Sequence, residues 1–557
     1  MKHKICSLFL LFLMTQGMQA QDVKNHNLEV AKNIEIFNAI YKNLDLMYVD
    51  TLNASEVIGT GINAMLRSLD PYTEYYPEEK QKDLKMLMTG KYAGIGALIR
   101  YNQKLKRIVI EEPYAGMPAA EVGLKKGDII LQIDDTIMTD KSVSYVSEHL
   151  RGDAGTTFVL KIERPSTGKK MTFKITRQSI KMPEITYYGM RGNGIGYINL
   201  NTFTGEPAKP MRRAFLDLKK QGATKLILDL RGNGGGSLAE CVDIANMWIP
   251  KGVTLVETKG KIRRANSEYK TRLEPIDTVM PLIILVNDET ASASEIVSGS
   301  VQDLDRGIII GTRTYGKGLV QIPNIEVPYN GNLKLTTAKY YIPSGRCIQA
   351  IKYKQGRSNE RIADSLTTVF YTRNGREVRD GGGIKPDIEV KSDTMPNIVY
   401  YLSAAGVDST EVMFDFVVDY LDHHPTIAPA KDFHLTEADW QTFRQRVIDS
   451  GFTYDPVSQK QFAELVKTAK FEGYYDDARE AFDALEKKLK HNVASDLDKH
   501  RAIIQQTLEL DIIAAYYYQK GSLEAGLDYD NQLKEAERIL NNPDEYQRIL
   551  QPAKQKN

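Results

Sequence analysis

Apolar and polar positions divide the chain into stretches of different period. From Asn27 to Leu69 apolar residues recur every three or four positions, first at Ile34, Ile36, Phe37, Ile40, Tyr41 and Leu44, then at Val57, Ile58, Ile62, Met65, Leu66 and Leu69. This spacing predicts two helices with one apolar face each, the second stopped at Asp70-Pro71. A third helix is expected from Glu78 to Met88, ending at Gly90. The pattern then turns to alternation: strands are predicted at Arg107 to Glu111, Asp128 to Ile133, Thr157 to Glu163 and Lys170 to Arg177, with one helix from Lys141 to Leu150. Beyond Ile185, apolar runs at Ile195 to Leu200, Lys225 to Leu230, Pro281 to Val286 and Gly307 to Gly311 alternate with helical stretches, as βα units do. After Asp393 the periodic segments near Phe462 to Lys490, Ala502 to Lys520 and Tyr529 to Leu540 predict a helical extension.

The first twenty residues follow a different logic. Lys2 and Lys4 precede an apolar run from Ile5 to Met14, and Gln16 to Ala20 is polar or small. This is the pattern of a signal peptide cleaved after Ala20, too short to cross a bilayer core of about 30 Å. The mature chain is therefore expected in the periplasm, either free or membrane-associated, without a transmembrane segment. At 557 residues it exceeds a single core. The expected division is a signal peptide (1–20), a helical arm (21–90), a β-rich module (91–180), an α/β core (181–392) and a helical extension (393–557).

Charge narrows the partners. Lys+Arg (73) balances Asp+Glu (72), so no positive field favours nucleic acid, and a protein or small-molecule substrate is the better expectation. Three Cys make no disulfide framework, and no spacing suggests a metal or a cofactor. Once Cys6 leaves with the signal peptide, Cys241 and Cys347 form either a bridge or two buried thiols.

Two segments carry candidate chemistry. The strand ending at Val286 leads through Asn287 to Ala291 into Ser292-Ala293-Ser294-Glu295 and a helix. A Ser at such a turn projects its hydroxyl into a cleft beside helix N–H donors, or simply caps the helix, which is its commoner use. A nucleophilic Ser needs a base, yet none of the eight His lies between His149 and His423. A Ser-His-Asp triad within the α/β core is thereby excluded: any His base would have to come from another domain, and a desolvated Lys is the remaining standard partner. Lys317, in Gly316-Lys317-Gly318, fits that role or that of a solvated turn; Gln321, four residues on, would share its strand face and orient the amine.

The β-rich module opens with Tyr92-Ala93-Gly94-Ile95-Gly96-Ala97-Leu98, where glycines allow backbone N–H groups to form a concavity for a carboxylate. With Val122-Gly123-Leu124 and Gly127-Asp128 at their spacing, the module resembles a PDZ domain of the circularly permuted type found in bacterial proteases. Ser292-Ala293-Ser294-Glu295, Gln302-Asp303, Arg306, Gly316-Lys317-Gly318 and Val320-Gln321 resemble the core of the C-terminal processing peptidases, or tail-specific proteases. So do Asp229-Leu230-Arg231-Gly232-Asn233, Tyr340 to Arg346, and Leu69-Asp70-Pro71-Tyr72 ahead of the module. The resemblance covers residues 27 to 392. It implies an α/β multidomain fold with a crotonase-like βα peptidase core and a Ser-Lys serine endopeptidase working through an acyl-enzyme. Ser292 would be nucleophile, Lys317 general base and Gln321 its positioner, with Ala293 and Gly235 as oxyanion donors. The substrate's free, apolar C-terminus would bind at Gly94, Ile95, Gly96, Ala97 and Leu98, with Arg151 adding charge and Ile95 and Leu98 gripping the last side chain. Asp303 would support the reacting residues from behind or be a surface carboxylate. Thr290, Gly234 and Cys347 depart from the family pattern without removing a reacting group, and the polar stretch Lys352 to Gly383 interrupts it as a surface loop. The helical tail is expected to be a scaffold or dimer-forming domain, and a homodimer fits the apolar faces of the arm. The alternative is a non-catalytic periplasmic PDZ peptide-binding or chaperone protein, which would have no use for Ser292, Lys317 and Gln321 together.

Overall fold

The computed structural model describes residues 2–165, 167–354, 357–404, 410–454, 457–489 and 492–552, with side chains over the same residues except 2–24 and 354–361. The arm is two helices, α1 (Lys2–Met47) and α2 (Ala54–Arg67), the second capped by the Asn53 side chain, which accepts the Glu56 N–H. The side chains of the expected export segment, 1–20, lie outside the described residues. Among the described residues no helix is long and apolar enough to cross a membrane. After α2, the Asp70 carboxylate accepts the N–H groups of Tyr72 and Thr73 at 2.8 Å each, a turn that returns the chain to the body as β1 (Glu74–Tyr76). Then α3 (Gln81–Thr89) ends at Gly90, which takes the left-handed conformation expected of a C-terminal cap.

The PDZ-like module follows as β2 (Lys91–Gly94), β3 (Ala97–Asn102), β4 (Arg107–Pro113), α4 (Pro118–Glu121), β5 (Ile129–Ile133), β6 (Thr136–Ile137), α5 (Val143–Leu150), β7 (Thr157–Arg164), β8 (Lys169–Thr176) and β9 (Gln178–Lys181). A six-stranded sheet runs β3-β4-β5-β7-β8 with β6 on β5, while β2 pairs β9. Alternation on β7 sends Phe158, Leu160 and Ile162 into a core shared with Val146 and Leu150 of α5.

The core supplies β10 (Ile185–Gly192), β11 (Ile195–Leu200), α6 (Ala208–Lys220), β12 (Lys225–Asp229), α7 (Leu238–Ala245), β13 (Thr254–Gly260), β14 (Ser267–Lys270), β15 (Leu282–Val286), α8 (Ala293–Asp303), β16 (Ile308–Gly311), β17 (Leu319–Val327) and β18 (Gly331–Tyr341). One sheet takes β10-β11-β12-β15-β16 and, at its far edge, a two-residue strand at Ile388–Glu389. All of its strands but β10 are parallel. Every residue of β11 and β15 is buried, which explains their unbroken apolar runs. The second sheet is five-stranded, β1-β18-β13-β14 with β17 on β18, so the arm is stitched into the core through β1.

The stretch from Lys352 to Gly383 is not a plain surface loop. It forms hairpins β19 (Ile351–Lys354) with β20 (Arg357–Arg361) and β21 (Val369–Tyr371) with β22 (Glu377–Arg379); residues 355 and 356 lie outside the described residues. Its anchor is Arg376, paired with Asp305, just beyond α8, at 2.6 Å and with Asp387, just before the edge strand Ile388–Glu389, at 2.5 Å. With these hairpins counted, the edge strand at Ile388–Glu389 is β23.

The helical extension comprises α9 (Asn397–Ser403), α10 (Val412–His423), α11 (Glu437–Asp449), α12 (Val457–Glu472), α13 (Arg479–Leu489), α14 (Val493–Lys499), α15 (Arg501–Gly526), α16 (Asn531–Leu540) and α17 (Pro543–Ile549). Lys490, the last residue of one predicted helical segment, lies outside the described residues. Part of the extension closes its own core on Trp440, Phe443, Leu508 and Ile512. The rest covers the parallel sheet: Leu533, Ile539, Leu540 and Tyr546 pack on Tyr197, Ile227, Ile283 and Ile308. It also grips the PDZ-like module, where Arg100 makes two bonds to Glu411 (2.9 and 2.7 Å) and Lys126 pairs with Asp511 at 2.9 Å. The extension therefore serves as scaffold within this chain. Cys241 and Cys347 are both free thiols.

Candidate active site

Ser292 stands where a buried parallel strand turns into a helix. Thr290 locks the approach, its hydroxyl accepting the Asn287 N–H and donating to the Leu230 carbonyl, both at 2.9 Å. Ser292 has φ 58° and ψ −116°, a conformation L-residues rarely adopt, costing of order 1–3 kcal/mol and typical of functional turns. All of α8 behind it is buried while Ser292 itself is half-buried at the mouth of a cleft. Ala293 is the first residue of α8, so its N–H lacks an intrahelical acceptor and sits at the positive end of the helix.

Facing this turn is the loop Arg231 to Gly236. Gly235 has φ 96°, and a Cβ there would fall 2.8 Å from the Ser292 Cβ and 2.9 Å from the Ala293 nitrogen. Only glycine allows that approach. Asn233, fully buried, holds the loop: its carbonyl accepts the Ala291 N–H at 3.0 Å and the Ser294 hydroxyl at 2.9 Å, and its side-chain oxygen accepts the Gly235 N–H at 2.9 Å. The Gly235 N–H, expected as an oxyanion donor, is thus engaged within its own loop.

Lys317 enters the same cleft from the turn before β17. Its glycines are needed for close contact: a Cβ on Gly316 would meet the Ala350 Cβ at 2.2 Å, and one on Gly318 the Gln349 nitrogen at 2.8 Å. Burial holds the Lys317 amine below its usual value, helped by nearby Lys334 and opposed by Glu295 and Asp70. Among the described residues no ion pair reaches it; its ammonium nitrogen lies 4.4 Å from the Tyr72 ring centre. Gln321 lines the cleft, but its amide donates to the Thr336 hydroxyl at 3.1 Å and makes no hydrogen bond to Lys317. The strand-face expectation fails because Lys317 precedes β17 and the pairing slips between Val320 and Gln321.

Glu295 joins the two halves, a role not assigned to it from the sequence. Fully buried, it accepts the N–H groups of Ser292 (2.9 Å), Gly316 (2.8 Å) and Lys317 (2.9 Å), and the Thr314 hydroxyl at 2.5 Å. Burial pushes its carboxyl up to about 7 against those four donors. Tyr340 matches it from the carbonyl side, its hydroxyl donating to the Lys317 oxygen and lying 3.3 Å from that of Ser292. The Ser292-to-Glu295 spacing of a capping box was the legible signal for Glu295. The cleft holds about 1060 Å³ and no His lines it.

The other candidates separate. In the PDZ-like module, Gly96 has φ 68° and a Cβ there would collide with the Met117 Cβ at 2.4 Å. The carbonyls of Ile95 and Gly96 accept the Ala119 and Tyr114 N–H groups at 2.8 Å. Planar trans peptides therefore turn the N–H groups of Gly96 and Ala97 the opposite way. Gly94 ends β2, and Arg151 lies 5.0 Å over the Tyr92 ring beside it. Leu98 is 46% exposed, whereas Ile95 is 3% exposed and packs inside the module core. Held between two glycines in the turn, the Ile95 side chain points inward, so the expectation that it grips a substrate residue is corrected. Asp303 is buried and paired with Arg346 at 2.7 Å, and accepts the Ser344 N–H at 3.0 Å; it is neither a surface carboxylate nor in contact with Ser292 or Lys317.

Three segments of the chain match known protein families. The family model described as peptidase family S41 matches residues 194–356, that of the PDZ domain residues 109–164, and that of "Probable PDZ-protease, C-terminal helical domain" residues 400–540. A carboxy-terminal-processing protease of Bartonella bacilliformis is 34% identical over 345 residues, spanning 61% of this chain and 77% of the relative. A carboxyl-terminal-processing protease of Synechocystis is 36% identical over 288 residues, 51% of this chain and 66% of the relative. Among solved structures, the photosystem II D1 C-terminal processing protease shares 27% identity over 63% of this chain and 86% of its own, with a TM-score of 0.36. The chain belongs to the C-terminal processing peptidases, serine-type peptidases of family S41 that carry a PDZ domain.

Proposed function

We propose that the protein is an exported endopeptidase that captures the free C-terminus of a protein substrate on its PDZ domain and cleaves the chain with a Ser292–Lys317 dyad. The observation that carries this reading is a strained Ser and a buried, depressed Lys lining one His-free cleft, their backbones tied by Glu295. In the neutral form Lys317 takes the Ser292 proton as the hydroxyl attacks the scissile carbonyl. The Ala293 N–H and an N–H of the glycine loop beside the engaged Gly235 stabilise the oxyanion. The amine, now protonated, gives its proton to the leaving nitrogen, and water then hydrolyses the acyl-enzyme with Lys317 again as base. Gln321 shapes the cleft wall beside the lysine. The Gly94 to Leu98 turn receives the carboxylate, with Leu98 against an apolar last residue and Arg151 nearby. Export rests on the N-terminal sequence, and a homodimer through the arm rests on Ile34, Phe37, Ile40 and Leu44, all exposed in the single chain. The test uses an unstructured polypeptide with an apolar free C-terminus and its amidated twin: the free form should be cleaved faster, and Ser292→Ala should abolish cleavage. Equal rates on the twins would remove the C-terminal capture, and cleavage by Ser292→Ala would remove the nucleophile.

A further inference from the structure

The loop facing Ser292 is anchored from far along the chain. Arg231 opens it, and its guanidinium is gripped by three side chains. Nε donates to Asp229 at 2.9 Å, Nη2 donates to Asp229 and to Asp530 at 2.5 Å each, and Nη1 donates to the Gln532 side-chain oxygen at 2.9 Å. Asp229 ends β12 and also accepts the Tyr197 hydroxyl at 2.7 Å. Asp530 and Gln532 belong to the N-terminus of α16, and the Gln532 amide donates in turn to the Val390 carbonyl at 2.7 Å. One half-buried cation thus ties the end of a core strand, the glycine loop and the helical extension together.

The two oxygens of Asp530 do different work. Oδ1 accepts the Leu533 N–H at 2.9 Å and caps α16, while Oδ2 is given to Arg231. A helix serving only to cover the sheet would need the cap and its apolar face, not the second oxygen. On the other side of Arg231 the loop continues without slack: the Gly232 N–H donates to the Asn287 side chain at 3.0 Å, and Asn233 holds Ala291, Ser294 and Gly235. A shift of Arg231 therefore reaches the atoms beside Ser292 within a few bonds.

We propose that Asp530 is a positioning residue for the proteolytic reaction, fixing through Arg231 the glycine loop that stabilises the oxyanion. This rests on Ser292 being the nucleophile, which Ser292→Ala tests separately: a cleaving Ser292→Ala enzyme ends that reading whatever Asp530 does. In the full mature chain, Asp530→Asn keeps an equally good helix cap but removes the charge. Its kcat on a free-C-terminus peptide should fall about tenfold, as small misplacements near the reacting atoms do. KM should stay unchanged while the melting temperature falls somewhat, because the asparagine NH₂ must face either the Leu533 N–H or Arg231; a peptide boronate, whose tetrahedral adduct uses the same donors, should bind more weakly by the same factor as kcat. Asp530→Glu should recover part of the loss. Wild-type kcat and boronate affinity in Asp530→Asn would overturn the proposal, as would a loss that disappears once activity is referred to the fraction of protein folded at the assay temperature. A double-mutant cycle with Arg231→Lys gives an independent reading: kcat effects that fail to add support the coupling, and simple additivity contradicts it. Should Asp530→Asn not fold, the same cycle is run with Gln532→Met, where coupling to Arg231→Lys with unchanged KM is expected and additivity again contradicts.

Discussion

Glu295 holds the Ser292 and Lys317 turns with one oxygen, Oε2, which accepts both N–H groups. The other, Oε1, accepts from Thr314 and Gly316. Glutamine cannot reproduce this, since its NH₂ must face one pair of donors and leave them unsatisfied at a cost of about 1–3 kcal/mol. Glu295→Gln should therefore fold, melt at a lower temperature and lose at least about a hundredfold in kcat, with peptide binding to the PDZ domain unchanged; steady-state kinetics and calorimetry decide. The same residue carries a pH signature. Between the ordinary glutamate value of 4.5 and about 7 the folded protein keeps a proton that the unfolded chain has lost. This group consequently lowers stability as pH rises through that window. Wild-type stability measured against Glu295→Gln should fall across it. Activity runs the other way: Lys317 must be neutral and its amine is held below the usual lysine value, so kcat/KM should climb as pH rises through that lowered value. A flat profile would contradict the lysine base.

At the scale of elements, the parallel strands and the glycine loops were legible because buried strands demand unbroken apolar runs and tight approaches demand glycine. Gly235→Ala tests the second point. Its φ of 96° and the 2.7 Å approach of a Cβ to the Ala291 carbonyl require the loop and the Ser292 turn to part. Activity should be lost by at least about a hundredfold, with the chain still folded on its separate helical core. What stayed illegible depends on partners distant in sequence. The slip in β17 that frees Gln321 from Lys317 is set by pairing with β18, not by any local pattern. Ile95 turns inward because the module core closes on it. The stretch from Lys352 to Gly383 reads as polar, yet Arg376 gains two carboxylates from outside the stretch, Asp305 and Asp387. Asp303 could not be told from a surface acid until Arg346 was seen against it.

For the whole molecule, the helical extension binds both the PDZ domain and the back of the catalytic sheet, so substrate capture and chemistry share one support. At the PDZ seam, Arg100 and Lys126 meet Glu111, Glu411 and Asp511 around Phe414, with Val418 seated against Gly127. Removing one carboxylate from such a buried cluster typically costs about 3–5 kcal/mol. Glu411→Ala should speed amide exchange in β3 to β5 and slow cleavage of proteins with free C-termini, while short peptides that bypass the PDZ domain are cut at the wild-type rate. The central claim, a Ser nucleophile activated by a Lys in a His-free cleft, is tested most directly by covalent labelling. A peptidyl phosphonate should modify Ser292 alone, as read by mass spectrometry of the digested protein, at a rate that rises with pH and drops by at least about a hundredfold in Lys317→Ala. Labelling at another residue, or an undiminished rate in Lys317→Ala, would contradict it.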